Sequence, residues 1–589
     1  MIRPADDARR WQRRLFAGTA VAALVYLYLA FFKPLTLSYD PFAIQDDARQ
    51  FLLWMPRLTD PELLRGDYMA AYWQSVSPLL YRVPFALAAD LGGPPPVFGR
   101  LLAVPLLFLA AWAAWRLSME LTRQRPRAAF VAAAFLMGFV IHEDSIFTAS
   151  PRAFSHPLLL VFFYGLLADR ALPILAGLIL LGALYPAPAI VGVTMLGLSR
   201  IRSLRPLRID LSRRSLLLVI GGGLLTAAAM LPFVLQTDPW GPTLTLAQAR
   251  AMPSMMDPSG RSTIVDSTGA IGWLCSWRMG YIPAIVPCGG AVPGARLWNL
   301  LLVLPLFALA ARHLTGRRPA DPGRLYVLAL AATALWYVIA IAVAFRLHLP
   351  SRYSQRVLEL LEWLAIGQML GVWLDARLSL ERHRKWIDTA AATTGVFILL
   401  SFLSPLPGMQ RPADEALIAH VARLPKGARI GGVSEELNFI PALTGRAVLA
   451  TPEHAIPYQL GYYRRVRAAL QASLLMISTP DRQVFGRLLA AYPVDYLLIE
   501  RHTLTTGQMA GRYPDILPVE SAAATRRLLS ARPIVASAPS VCLNYRSAEF
   551  LLIEAACVMN TAPHSPPPGF PSLASDGADL PGHRAAIPD

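Results

Sequence analysis

The chain has 589 residues, of which 55% are apolar and 16% charged, and its 55 Lys and Arg against 38 Asp and Glu leave a formal charge of +17. So few charges, with a mean hydropathy of +0.43, exclude an all-soluble protein of this length, which would carry about 25% charged residues, and point to a polytopic membrane protein. The basic residues are scattered between apolar blocks rather than gathered on one polar face, which excludes a nucleic-acid binder.

In chain order, Arg9, Arg10, Arg13 and Arg14 precede an apolar run from Leu15 to Phe32. The layout is that of a signal peptide. The run ends in Lys33-Pro34 with no small-residue cleavage site, however, so it reads as an uncleaved first transmembrane helix. A helix needs about 20 apolar residues to cross the hydrocarbon core. By that measure about eleven stretches qualify, near 15–32, 97–115, 128–141, 154–168, 171–185, 187–198, 216–236, 297–311, 325–347, 354–374 and 387–405. Between 154 and 198 the pair Asp169-Arg170 and the kink Tyr185-Pro186-Ala187-Pro188 cut one long apolar region into three pieces shorter than a full span. The kink reads as a connection, although broken helices also line substrate cavities.

Lys and Arg fall on alternate connections: the N-terminus, Arg116 to Arg127, Arg170, Arg200 to Arg214, Arg312 to Arg324 and Arg377 to Lys385. These six segments, with the adjoining Asp169 and Asp375, hold 24 basic residues against eight acids, so they account for +16 of the +17. Positively charged short loops stay in the cytoplasm. The excess charge is therefore a topology signal, with the N-terminus cytoplasmic and, for an odd number of spans, the C-terminus outside.

The first external loop, 33–96, concentrates acids, aromatics and prolines: Ser38-Tyr39-Asp40-Pro41, Gln45-Asp46-Asp47-Ala48-Arg49-Gln50, Asp60-Pro61-Glu62 and Asp67-Tyr68. Asp47 to Met55 is expected as a helix along the membrane surface, with Phe51, Leu52 and Met55 facing lipid and Trp54 at the interface. A second external loop carries His142-Glu143-Asp144-Ser145, Ser150-Pro151-Arg152 and His156, and a third, 237–296, carries Cys275 and Cys288. A fourth, His348-Leu349-Pro350-Ser351-Arg352-Tyr353, enters the helix holding Gln355, Arg356, Glu359 and Glu362. Ionisable groups at such depths usually face a protein interior or a wet cavity.

From about 410 to 560 the composition becomes that of a soluble domain. Helices are expected over 413–424, 435–443 and 458–477, and strands over 428–433, 447–450 and 494–499, the last with Asp495 inside it. The alternation predicts a small external α/β domain. Gly431-Gly432 has the look of a phosphate-binding turn, but no GxGxxG accompanies it. Residues 562–589, with Ser565-Pro566-Pro567-Pro568, read as a disordered tail. In this topology Cys275 with Cys288, and Cys542 with Cys557, lie in an oxidising compartment and favour local disulfides over four free thiols.

An acid-rich first external loop, a second acidic loop, about eleven spans and a C-terminal external α/β domain together resemble the GT-C class of polyprenyl-phosphate-dependent membrane glycosyltransferases. Strings such as Gln45-Asp46-Asp47-Ala48-Arg49-Gln50, Ser150-Pro151-Arg152-Ala153-Phe154 and Leu349-Pro350-Ser351-Arg352-Tyr353 look like those of uncharacterised bacterial proteins near that class. The resemblance implies a multi-pass protein of the bacterial inner membrane with its C-terminal domain periplasmic. It further implies transfer of a sugar from a polyprenyl-phosphate donor to an external glycan, lipid or protein acceptor. Asp46-Asp47 stands where that class places its catalytic acid, and His142-Glu143-Asp144 where a second acidic motif often lies.

The residue types suit that chemistry. A carboxylate, Asp47 or Asp46, can take the acceptor's proton as it attacks the anomeric carbon. Arginine matches a leaving phosphate with a bidentate fork, which nominates Arg352 first and Arg152 second, with Tyr353 and His156 as further donors. Glu143 and Asp144, beside His142, suit either a divalent cation such as Mg2+ or Mn2+ or the acceptor itself. Simpler roles stand beside each of these: Asp46 and Asp47 also suit a helix N-cap, Arg352 a headgroup anchor, and either histidine a structural hydrogen bond. Two other functions fit the same architecture. One is a transporter or flippase for lipid-linked molecules, for which the repeated halves of such proteins are not evident. The other is a non-catalytic assembly subunit for lipid-linked saccharides, which would need no convergent acids.

Overall fold

The computed structural model describes residues 4–204, 206–235, 239–258, 260–266, 268–288, 294–315, 323–377, 389, 395, 408–506, 513 and 515–561. The chain divides into two compact units: one of residues 1–59, 73–239 and 243–411, the other of 60–72, 240–242 and 412–589.

The first unit is helical. Its principal helices are α1 (Pro4–Phe31), α2 (Asp46–Phe51), α3 (Leu79–Asp90), α4 (Pro95–Leu121), α5 (Pro126–His142), α6 (Ser155–Leu167), α7 (Ala171–Leu184), α8 (Pro186–Leu198), α9 (Arg213–Leu235), α10 (Ala295–Thr315), α11 (Arg324–Ala342) and α12 (Gln355–Arg377). Among the described residues, six of these (α1, α4, α9, α10, α11 and α12) are long and apolar enough to cross a membrane, and α5, α7 and α8 are shorter apolar helices. The breaks expected at Asp169-Arg170 and before Pro186 separate α6, α7 and α8. The stretch 387–405 lies outside the described residues apart from 389 and 395.

Two helices show why this unit needs a lipid solvent. On α9, Leu217, Ile220, Leu224, Leu225, Leu231 and Val234 are exposed, and on α10 so are Leu297, Trp298, Leu301, Leu304 and Phe307. Apolar faces of this extent are covered in a water-soluble protein. The chain is a multi-pass membrane protein.

Packing in the bundle rests on small residues, as it must where lipid supplies no hydrophobic drive between helices. A Cβ added at Gly371 of α12 would come within 2.5 Å of Ala128 O, and one at Gly367 within 2.9 Å of the Ala132 Cα, so Gly367-x-x-x-Gly371 lies directly on α5. The two helices run antiparallel. Arg125 and Arg127 at the start of α5 stand 3.9 Å from Asp375 near the end of α12. That contact sets the other end of α5, Glu143, beside the first turn of α12.

The first loop departs from the surface helix expected there. The helix is only α2, and Leu52, Leu53, Trp54 and Met55 after it are almost completely buried rather than facing lipid. Trp54 Nε1 donates to Ser77 Oγ (3.2 Å), and the Arg82 guanidinium lies 5.6 Å from its ring centroid. The indole nitrogen is thus satisfied inside the protein, so nothing draws it to the interface. The amphipathic stretch 79–91 does form a helix, α3, with Tyr81 and Phe85 buried and Leu79, Val83 and Leu87 exposed.

The second unit contains a five-stranded sheet. Its strands are Arg429–Gly432, Ala447–Val448, Tyr496–Glu500, Leu543–Arg546 and Phe550–Glu554. Ala447–Val448 and Tyr496–Glu500 pair parallel to either side of Arg429–Gly432, and Phe550–Glu554 joins antiparallel to both Tyr496–Glu500 and Leu543–Arg546. The helix Leu460–Ser478 buries Leu460, Tyr462, Val466, Leu470, Leu474 and Ile477. Asp495 is exposed just before its strand, not inside it; its carboxylate accepts from Arg429 N at 2.8 Å. Gly432, at φ +149°, has a structural reason: a Cβ there would run into the Leu498 carbonyl of the neighbouring strand. The Gly-Gly pair thus serves close strand packing. Cys542 and Cys557 are disulfide-bonded (Cα–Cα 5.5 Å), as are Cys275 and Cys288 in the first unit (5.9 Å). Residues 562–589 lie outside the described residues.

Candidate active site

Asp47 is placed by a sequence of local interactions that starts at the end of α1. Asp40 is fully buried; its Oδ1 accepts from Phe42 N and Ala43 N (3.0 and 3.1 Å), and its Oδ2 from Arg411 Nε (2.5 Å). Arg100 of α4, also buried, donates to the carbonyls of Ala30, Asp40 and Pro41, each at 2.9 Å. A guanidinium buried this way is offset by carbonyl oxygens and the adjacent carboxylate. It secures the turn that leads into Ile44-Gln45, which pairs antiparallel with Met409–Gln410.

Gln45 then does two things. Its Oε1 caps α2 by accepting from Ala48 N (3.2 Å), and its amide donates to Asp144 Oδ2 (3.1 Å). Gly408 makes this possible: it sits at φ +73°, its carbonyl accepts from Asp46 N (2.8 Å), and a Cβ on it would come within 2.5 Å of the Gln45 amide. The two acids at the start of α2 diverge. Asp46 pairs with Arg49 one turn on (2.5 Å), and its side chain is 40% exposed. Asp47 turns inward, its Oδ2 3.0 Å from Arg152 Nη2.

The second loop supplies the other half. Glu143 ends α5 and caps the short 3-10 turn Asp144–Thr148 by accepting from Ser145 N at 3.1 Å. Ser150 Oγ accepts from Arg152 N (3.3 Å), starting a second 3-10 turn, Pro151–Phe154. These turns aim Arg152 between the two aspartates, with the same Nη2 2.7 Å from Asp144 Oδ1. Burial lifts the Asp144 carboxyl above the usual carboxylate range; Arg152 opposes that rise and the Glu143 and Asp47 charges add to it. His142, at the end of α5, is exposed.

A second network lies alongside. Glu143 Oε1 is 2.6 Å from Arg356 Nη1, which also reaches Glu359 Oε1 at 3.0 Å and Ser145 Oγ at 3.2 Å. His156 is fully buried, its Nε2 2.8 Å from Glu359 Oε1 and its Nδ1 3.5 Å from Glu143 Oε2. Burial alone would raise the Glu143 carboxyl, but Arg356, His156 and Arg152 outweigh it and hold the group well below the ordinary range.

Arg352 stands on the 3-10 turn Pro350–Tyr353 that leads into α12. Its buried Nε has no hydrogen-bond partner. Burial lowers its pKa, and the nearby Arg356, Arg152 and Arg278 charges lower it further, with Tyr185 acting the other way. The turn is clamped to the disulfide loop. Ser351 Oγ donates to Trp277 O (2.7 Å), and the Gln355 amide donates to the carbonyls of Ser276, Gly280 and Ile282 at 2.8 to 3.0 Å.

The structure thus brings Asp47, Glu143, Asp144, Arg152, His156 and Arg352 into one polar region of the first unit and leaves Asp46 and His142 at its margin. The two auxiliary donors are engaged elsewhere. The Tyr353 hydroxyl donates to Leu347 O (3.0 Å), and His156 is enclosed between carboxylates. Gln45, Tyr185 and Arg278 join the site without having been nominated for it by the sequence. Arg356 and Glu359, three residues apart at the mouth of a span, were marked as intramembrane charge by the sequence, and the structure gives them partners in the site.

No family model matches the chain, and no curated protein matches it. Among solved structures it is similar to the oligosaccharyltransferase of Archaeoglobus fulgidus. In the apo form of that protein the likeness covers 85% of this chain and 71% of the other at 11% identity, with a TM-score of 0.47. In its complex with an inhibitory peptide and a dolichol-phosphate the figures are 86%, 72%, 12% and 0.49. With an acceptor peptide containing the NVT sequon tethered by a disulfide they are 86%, 71%, 13% and 0.46.

Proposed function

We propose that this chain is a membrane glycosyltransferase that moves a sugar from a polyprenyl-phosphate donor to an external acceptor. In this reading about eleven segments cross a bacterial inner membrane with the N-terminus cytoplasmic. Residues 1–405 form the membrane domain, and 410–560 form an α/β domain on the periplasmic side. The observation that carries the reading is Arg352: a half-buried arginine whose buried Nε has no hydrogen-bond partner, in the field of the Arg356, Arg152 and Arg278 guanidinium groups. A partly desolvated cation among cations is stabilised by an anion, and a phosphate oxygen is the acceptor its planar fork fits.

Asp47 is the base. Arg152 holds its Oδ2 and leaves Oδ1 for the acceptor's proton. As that proton transfers, the acceptor atom bonds to the anomeric carbon. The bond from that carbon to the phosphate oxygen breaks, and the electron pair leaves with the polyprenyl phosphate, whose charge Arg352 neutralises. Glu143, Arg356, Glu359 and His156 form the rigid wall that keeps Arg152 and Arg352 in place.

The test uses purified protein in liposomes with labelled lipid-linked sugars drawn from cell membranes. Asp47→Asn should lower transfer by about 100-fold or more, the scale of losing a positioned base. Arg352→Ala should weaken retention of polyprenyl phosphate by about tenfold or more, as expected for a charge-assisted contact. Wild-type behaviour in both variants would sink the assignment.

A further inference from the structure

We infer that Arg152 takes the place of a divalent cation between Asp47 and Asp144, so that this acidic pair works around a resident guanidinium and not around a metal. Two carboxylates from different loops converging on one point is the arrangement in which Mg2+ or Mn2+ is commonly held. Here the point is filled by one nitrogen, Arg152 Nη2, at 3.0 Å from Asp47 Oδ2 and 2.7 Å from Asp144 Oδ1. Those are hydrogen-bond lengths. They exceed the roughly 2.1 Å that Mg2+ requires and the 2.3–2.6 Å of Ca2+.

Four further observations point the same way. The backbone of Arg152 is fixed by Ser150 Oγ at the start of its 3-10 turn, so the guanidinium is delivered to this position by local structure. The remaining oxygen of Asp144, Oδ2, is taken by the Gln45 amide. The next acid, Glu143, is committed to Arg356, Ser145 N and His156. Among the described residues no group of three His, Cys, Asp or Glu side chains is arranged to share an ion. A cation entering between Asp47 and Asp144 would have to displace Arg152 toward Arg352 and Arg356, where like charges repel it. A guanidinium is always charged and gives directional donors, so it holds Asp47 in orientation as a metal would.

The inference concerns the site of the proposed transfer, but its test reads metal uptake alone, so each can fail without the other. The probe is Mn2+ added to the full-length protein in detergent after chelator washing, followed by the loss of the free-ion electron paramagnetic resonance signal. Wild-type protein should take up no Mn2+ that depends on Asp47 or Asp144. Arg152→Met, which keeps the apolar stem and removes the charge, should take up one ion, and Asp47→Asn in that background should abolish it. The thermal midpoint of wild-type protein should likewise be the same in chelator and in millimolar Mn2+, since a bound ion would raise it by mass action. This second measurement decides the matter if Arg152→Met does not fold. Uptake or a midpoint shift in wild type that Asp47→Asn removes overturns the inference. So does a folded Arg152→Met that takes up nothing, because the carboxylates would then form no cation seat.

Discussion

Removing the Arg356 guanidinium tests the wall of the site. Arg356 touches Glu143 at 2.6 Å and Glu359 at 3.0 Å, and its side chain is only 7% exposed. In Arg356→Met these two carboxylates lose their shared partner while staying in a desolvated place. Breaking one side of a buried ion pair typically costs about 3–5 kcal/mol, mostly from the charge left behind. Glu143 is held low against burial chiefly by Arg356, so without it the carboxyl should rise and take up a proton. The sign follows by linkage: for wild type the contribution of Glu143 is present above its unfolded pKa and is lost only as the pH falls through the depressed folded value. Wild-type stability at this group should therefore change little from pH 7 to 5. In Arg356→Met the folded state binds the extra proton, so stability should recover as the pH falls over the same range. Thermal unfolding followed by tryptophan fluorescence in detergent at pH 7, 6 and 5 measures both effects. Glu143→Gln combined with Arg356→Met should recover about 1–3 kcal/mol of the loss, as coupled contacts do. Equal midpoints for wild type and Arg356→Met at pH 7, or no recovery in the double variant, would refute the reasoning.

Other consequences follow from the same geometry. Asp46→Asn should leave sugar transfer within a few-fold of wild type and cost about 0.5–1 kcal/mol in stability through the first turn of α2, whereas Asp47→Asn should lower transfer by about 100-fold or more; parallel transfer measurements separate them. Gly408→Ala meets both a left-handed φ and the Gln45 amide, so it should cost about 1–3 kcal/mol in thermal stability and impair transfer by displacing Gln45 from Asp144. Gln355→Leu strips three carbonyls of the disulfide loop of their donor and should weaken polyprenyl-phosphate retention in a flotation assay, with Gln355→Glu restoring none of it. In the second unit, burial lifts Glu436 to about 6. The folded state thus binds a proton that the unfolded state binds only at lower pH, so stability should rise as the pH drops from 7 toward 5. Glu436→Gln should flatten that slope in a melting series.

Much was legible along the chain because it depends on local pattern. Apolar length reveals spans, and the Asp169-Arg170 and Tyr185-Pro186 interruptions reveal where helices stop, since a charge or an N-terminal proline acts within one turn. Asp46-Asp47, Glu143-Asp144, Arg152 and Arg352 stood out because charge is scarce in a chain built for lipid. The spacing of the cysteines allowed the two bridges that the structure contains.

Tertiary structure decided which of those charges meet. Asp46 and Asp47 are neighbours with the same first-turn preference, yet one takes Arg49 and the other Arg152, and only the approach of the second loop separates them. Arg356 became an anchor because Gly367 and Gly371 let α12 lie against α5, a contact over two hundred residues away in sequence. Trp54, suited by type to an interface, was drawn inside by Ser77 and Arg82. The physical reason is one of range. Helix formation, capping and topology respond to residues within a few turns, and composition displays them. Ion pairing in a low-dielectric interior depends on distances of about 3 Å between distant segments, which no one-dimensional spacing contains.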